Sequence, residues 1–271
     1  MLTHVDMTAI AVPRTFTIGG VNPDDTIILK SISGLSPSDV TLFTGDFAGN
    51  GGYYQGRRVP GRNPVFTFKL NPSFSTTGGR SVSSLRRELY AMFYEPTYND
   101  NGLQVDIFDD EIGKVSMKVY ADKTQNDMFS QDTSVQISTQ CMEAFLMGPQ
   151  VSATPNAISV PITYAGSAPA GFDSLQIKAA SAGTQFSVQI ANKTMTWVGA
   201  IAANDIFTIG TEEGNLFIKK NGVDALGGLS AASQWVTLAP GANTLATWGN
   251  ASGDGKTSIT SYAYTPKYWG L

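Results

Sequence analysis

Apolar residues along this chain recur mostly at every second position, in short runs. Residues 16–18, 26–30, 40–43 and 65–70 are rich in β-branched and aromatic side chains and are bounded by Gly, Pro, Asn and Asp. The pattern predicts hairpin-connected antiparallel strands. Residues 45–61 interrupt it with six glycines, the adjacent Tyr53 and Tyr54, and the pair Arg57 and Arg58. That is more chain than a tight turn needs, and it reads as a long loop or an extended hairpin.

The period changes once. Leu85, Leu89, Met92 and Phe93 fall at helical spacing, so a helix is expected over residues 81–94, with serines at 81, 83 and 84 to cap its start. Pro96 should stop it by forcing Glu95 out of helical geometry. Arg86, Arg87 and Glu88 take the other faces and make a basic surface. Alternation resumes over residues 103–108 and 114–120, joined by the acidic link Asp109-Asp110-Glu111-Ile112-Gly113, a hairpin signal. A long strand is expected to follow through Val135, Ile137, Thr139, Cys141 and Leu146, ending at Gly148-Pro149.

Beyond residue 150 no helical period is seen. Strand candidates are residues 158–160, 175–178, 185–190, 195–197, 206–209, 216–218, 234–238 and 258–262, with turns at Glu213-Gly214-Asn215 and Asn221-Gly222 between them. Such spacing indicates a β-sandwich or jelly roll. Two domains are therefore expected, residues 1–148 and 149–271, in a mainly β chain.

Composition sharpens that division. The first 148 residues carry 12 Lys and Arg against 16 Asp and Glu, whereas the remainder carries 6 against 6 and no arginine. Charge is further segregated within the first part. Residues 47–94 hold seven basic residues and one acid, and residues 95–148 hold three lysines and ten acids. Two readings fit: the blocks neutralise each other inside one domain, or the positive block of one subunit meets the negative block of the next in a head-to-tail contact. The second reading makes Arg57, Arg58, Arg62, Arg86, Arg87, Asp109, Asp110 and Glu111 candidate interface residues.

Other chemistry finds little support. The net charge of −4 argues against sequence-independent nucleic-acid binding. His4 is the one histidine, in an N-terminal segment expected to be mobile, and no nucleophile elbow accompanies it. Asp106, Asp109, Asp110 and Glu111 lack the alternating oxygens of a calcium loop and read as a solvated hairpin tip rather than a glycosidase pair. Gly49-Asn50-Gly51-Gly52 lacks the Lys of a phosphate loop. Cys141 has no partner for an intrachain disulfide and is expected to be buried. Trp197, Trp235, Trp248 and Trp269, with Tyr262, Tyr264 and Tyr268, read as sandwich core, with a sugar-stacking surface as the alternative. Residues 8–13 are too short for a signal-peptide core, and no run is long enough to cross a bilayer.

Several of these features occur in an order that resembles the distal tail proteins of long-tailed, non-contractile bacteriophages. They are the N-terminal strands, the Gly- and Arg-bearing stretch ending in residues 60–70 (PGRNPVFTFKL), the helix with residues 85–90 (LRRELY), the hairpin from 103 to 120, and the terminal residues 268–271 (YWGL). The resemblance implies an N-terminal β-rich belt domain with one helix and a C-terminal galectin-like β-sandwich. It further implies a structural protein without cofactor, metal or catalytic residues. Its expected place is the virion tail tip, after assembly in the host cytoplasm, as a ring expected to be hexameric. The partners implied are the tail tube protein, the tail hub or tail-associated protein, and the tape measure and receptor-binding proteins, with no nucleic-acid specificity and no membrane insertion. A carbohydrate- or receptor-binding role for the sandwich is the alternative.

Overall fold

The computed structural model describes residues 2–8, 13–17, 26–46, 52–72, 81–125, 133–212, 215–250 and 254–271. The chain divides into two compact units, one formed by Met1–Met147 and Trp269–Leu271, the other by Gly148–Tyr268.

The first unit contains β1 (Leu2–Thr8), β2 (Pro13–Thr17), β3 (Ile27–Ser33), β4 (Thr41–Asp46), β5 (Gly52–Arg58), β6 (Val65–Leu70), α1 (Val82–Tyr98), β7 (Leu103–Asp109), β8 (Gly113–Gln125), β9 (Ser134–Gln140) and β10 (Leu146–Met147). Seven strands run in the order β2-β1-β7-β8-β9-β6-β3, with β10 joining β8 through Met147 opposite Ser116. Alternation along these strands buries Phe66, Phe68 and Leu70 on β6, Leu103, Val105 and Ile107 on β7, and Val115, Met117 and Val119 on β8. The helix lays Leu85, Leu89 and Phe93 on that face, with the Phe93 ring 5.3 Å from Phe66 and 5.8 Å from Phe68. Each such side chain contributes roughly 1.5–3 kcal/mol by leaving water.

Pro96 does not end the helix. Its position in the last turn forfeits a single backbone bond, its ring is buried, and the chain continues to Tyr98. Termination comes from Asp100, whose φ of 58° is left-handed. The amides of Asp100 and Asn101 then reach back to the carbonyls of Thr97 and Pro96, closing a Schellman turn. At the start, Ser81 caps the amide of Ser84 as expected.

Two further segments depart from the expected pattern. The N-terminal segment is a strand rather than a mobile end: His4 pairs with Thr17 and Phe108 and stacks on the Phe108 ring at 3.9 Å. The strand expected to run through Cys141 stops at Gln140, where Cys141 exchanges two backbone hydrogen bonds with Arg62 at 2.8 Å. Cys141 itself is buried.

The second unit contains β11 (Val151–Ala153), β12 (Ser159–Tyr164), β13 (Ser174–Ala179), β14 (Gly183–Ile190), β15 (Lys193–Ile201), β16 (Ile206–Glu212), β17 (Asn215–Lys220), β18 (Val223–Asp224), β19 (Gly241–Trp248), β20 (Thr257–Tyr264) and β21 (Lys267–Tyr268), with a 3-10 turn at Leu226–Gly228. Two antiparallel sheets, β11-β20-β13-β16-β17-β18 and β12-β19-β14-β15, enclose one apolar core. This is a β-sandwich, so the chain is mainly β, as its alternation indicates.

Sequence reasoning missed β19, because its buried positions Asn243, Leu245 and Thr247 include one apolar residue. Asn243 is satisfied by Ala239 and Gly241, and Thr247 by Ser187 and Thr257. Residues 234–238, expected as a strand, bury Val236 and Leu238 but form only a bridge from Leu238 to Ala170.

Candidate functional site

Around the Gly-rich segment of residues 45–61, of which 47–51 lie outside the described residues, the chain forms an extended hairpin. Strands β4 and β5 pair with each other from Thr41 opposite Arg58 to Asp46 opposite Gly52, forming a separate two-stranded sheet. An isolated hairpin is marginally stable in water. This one also exposes apolar side chains: Leu42 is 60% and Phe43 48% accessible, and Val40 at its root is exposed as well. Among the described residues no further strand pairs with this hairpin, and exposed carbon on such an edge is the composition of a contact surface.

Arg62, just beyond the hairpin and one of the candidate interface residues, is buried within its own unit. It is 3% accessible, and its guanidinium is consumed by backbone carbonyls within the same unit. Nε donates to Ala144 O at 3.1 Å, Nη1 to Leu35 O at 2.9 Å and Ser36 O at 2.8 Å, and Nη2 to Trp269 O. A planar fork of five donors is suited to such a cluster. Burial pulls the guanidinium pKa below its ordinary value, opposed by the nearby Cys141. Beside it lies a cleft of about 360 Å³ lined by residues 34, 36–39 and 60–63, the two stretches that lead into and out of the hairpin.

The remaining candidates fall into two groups. Arg58, Arg87, Asp110 and Glu111 are exposed, and Arg86 is half-buried on the helix. The Arg57 side chain lies outside the described residues. Arg87 donates along its own helix to Ser83 O at 3.4 Å. Asp109 is a turn residue: its carboxylate accepts the amides of Glu111 at 3.0 Å and Ile112 at 3.2 Å, and these hydrogen bonds hold its pKa below the usual carboxylate range. Of the candidates whose side chains are described, Arg62 is buried against backbone carbonyls and Asp109 is held by its own turn, while Arg58, Arg87, Asp110 and Glu111 are exposed.

Some ion pairs are local. Arg14 meets Glu88 at 2.5 Å, and Lys114 meets Asp106 at 2.6 Å. For Asp106, burial raises the pKa, but hydrogen bonds from Gln104, Lys114 and Ser116 outweigh it and the net shift is downward. Among the described residues no cluster of His, Cys, Asp and Glu is suited to a metal, and no helix is long and apolar enough to cross a membrane. The aromatic residues weighed for sugar stacking are largely core. Trp197, Tyr264 and Tyr268 are buried, and Trp235 and Tyr262 pack against the same core. Trp269 belongs to the first unit, where its ring meets Phe145 at 4.8 Å.

Comparison with known proteins supplies what this geometry alone does not. Residues 165–268 match the family model of the siphovirus-type tail component, C-terminal domain. The fold of the chain is similar to that of the SPP1 Dit protein, described as a paradigm of the hub adsorption apparatus in phages that infect Gram-positive bacteria. That match has a TM-score of 0.63 at 15% identity and covers 97% of this chain and 98% of that one. A chain of the phage p2 baseplate in its activated, Sr-bound conformation also matches, with a TM-score of 0.42 at 8% identity over 97% of each chain. No curated protein matches the sequence.

Proposed function

We propose that this chain, a siphophage distal tail protein of the Dit type, is a non-enzymatic scaffold that closes with further copies of itself into a hexameric ring joining the tail tube to the tail hub. The observation that carries this reading is the β4–β5 hairpin, a separate two-stranded sheet that exposes Leu42 and Phe43. An adjacent copy is its natural occupant. Strand edges add to a neighbour by main-chain hydrogen bonding, and the exposed apolar side chains supply the burial.

Charge complements this contact. The exposed Arg58 and Arg87 on one copy and the exposed Asp110 and Glu111 on the next form opposed edges that steer a head-to-tail approach. A heterologous contact of this kind repeats around an axis, and a ring results when the rotation closes. The tail tube, hub, tape measure and receptor-binding proteins are then the neighbours above and below, and the assembled location is the virion tail tip.

Deleting residues 48–58 tests the reading. The shortened chain should retain both folded units by circular dichroism and calorimetry yet sediment as single chains. A ring that persists without the hairpin would refute it.

A further inference from the structure

The hairpin is held at its root by a feature far away in sequence. The chain enters the hairpin through residues 34–40 and leaves through 59–63. Arg62, on the exit side, donates to the carbonyls of Leu35 and Ser36 on the entry side. The last three residues of the chain complete this fastening. Trp269 O accepts from the same guanidinium, the Leu271 amide donates to Leu35 O at 3.2 Å, and Trp269 packs on Phe145. Gly270 lies so close to the entry segment that an added Cβ would sit 2.7 Å from Leu35 O and 2.8 Å from the Pro37 nitrogen. Glycine is required there by lack of space.

We infer that Arg62 and residues Trp269–Leu271 form a latch that fixes the direction in which the β4–β5 hairpin projects. These are positioning residues. They hold the entry and exit strands of the arm in one orientation. Three separate fastenings converge on Leu35 to Pro37: the charged fork, a backbone amide from the chain end, and the close approach of Gly270. A hairpin stands on its two stalks, so joining the stalks at one point removes their independent motion. The consequence is that assembly competence depends on the last residues of a chain whose intervening 121 residues form the other unit.

This inference rests on the reading of the hairpin as an intersubunit arm, and the experiment separates the two. Spin labels are placed on Thr44→Cys at the arm and Lys118→Cys on β8, both exposed positions. Cys141 stays unlabelled because it is buried and burial pushes its thiol pKa up. Electron–electron distances are recorded with the labelled chain diluted in unlabelled chain. The full chain should give one narrow distance. Arg62→Lys, which keeps the charge but not the fork, and Gly270→Ala should each lose it, with the circular dichroism of the first unit retained.

Leu42→Ser is the control: it weakens assembly at the arm surface while leaving the latch whole, and its distance should stay narrow. A narrow distance in both latch variants overturns the proposal. So does a broad one in Leu42→Ser, which would show that the ring, not the latch, orders the arm. Collapse of the first unit in both latch variants also overturns it, because the feature would then hold the unit rather than the arm. If the full chain is monomeric with a narrow distance, the ring reading fails and the latch stands.

Discussion

Replacing Arg62 by methionine removes the donors to four carbonyls while keeping most of the side-chain volume. Hydrogen bonds to a charged group are worth about 1.5–3 kcal/mol each. The four do not add, because the substitution also relieves the desolvation of a buried guanidinium and water reaches part of the freed backbone. A net loss of about 3 kcal/mol is expected, between one strong bond and the largest effects seen for single substitutions. For a unit of this size that corresponds to a fall in Tm of about 6–12 °C. Calorimetry of the full chain measures it, with hydrogen exchange assigning each transition to its unit. The loss should appear in the first unit, which contains Trp269–Leu271, and leave the second unchanged. Arg62→Lys should recover less than half, since one ammonium cannot span carbonyls on three chain segments. A fall below about 2 °C would mean that the carbonyls find water at no cost, and the reasoning would be wrong.

Other consequences are as direct. Leu89→Ala at the buried centre of the helix face should cost the first unit about 2–5 kcal/mol, read by urea unfolding. In the second unit Asp205 accepts Lys220 Nζ at 2.8 Å, the Ala202 amide at 2.7 Å and Asn221 Nδ2 at 2.8 Å, which lower its pKa to about 2. Its unfolded value is about 3.9, so this contribution is complete above roughly pH 5 and is lost as pH falls through 2. Asp205→Asn should flatten the acid limb of the second unit's stability curve, and an unchanged limb would count against the assignment. Reversing Arg57 and Arg58 to Glu should weaken assembly most at low salt, where surface charge is least screened, and an unaltered mass by sedimentation would return the charge blocks to neutralisation within one chain.

Period-two alternation was enough to place β6, the β7–β8 hairpin and most of the sandwich, because these strands bury one face in an apolar core. It failed at β19, where Asn243 and Thr247 are buried by virtue of hydrogen bonds that no hydropathy pattern reports. Pro96 misled for a related reason: the rule against proline concerns a helix interior, and the last turn has few bonds to lose. The hairpin was readable as an extended element from its glycines and paired tyrosines. Arg62 was not, since an arginine in a Gly-Pro-rich stretch looks the same whether it faces solvent or four carbonyls. Its partners Leu35, Ala144 and Trp269 come from three distant stretches of chain. Asp109 was grouped with Asp110 and Glu111 by sequence, whereas its carboxylate belongs to the turn it closes.

The central claim is that copies of this chain assemble with one another through the arm, and the solution mass of the full chain by light scattering at low and high salt tests it most directly. Six chains of 28.8 kDa give about 173 kDa. That mass is expected, or a smaller oligomer that dissociates as salt is raised. A single-chain mass at every salt and protein concentration would contradict it.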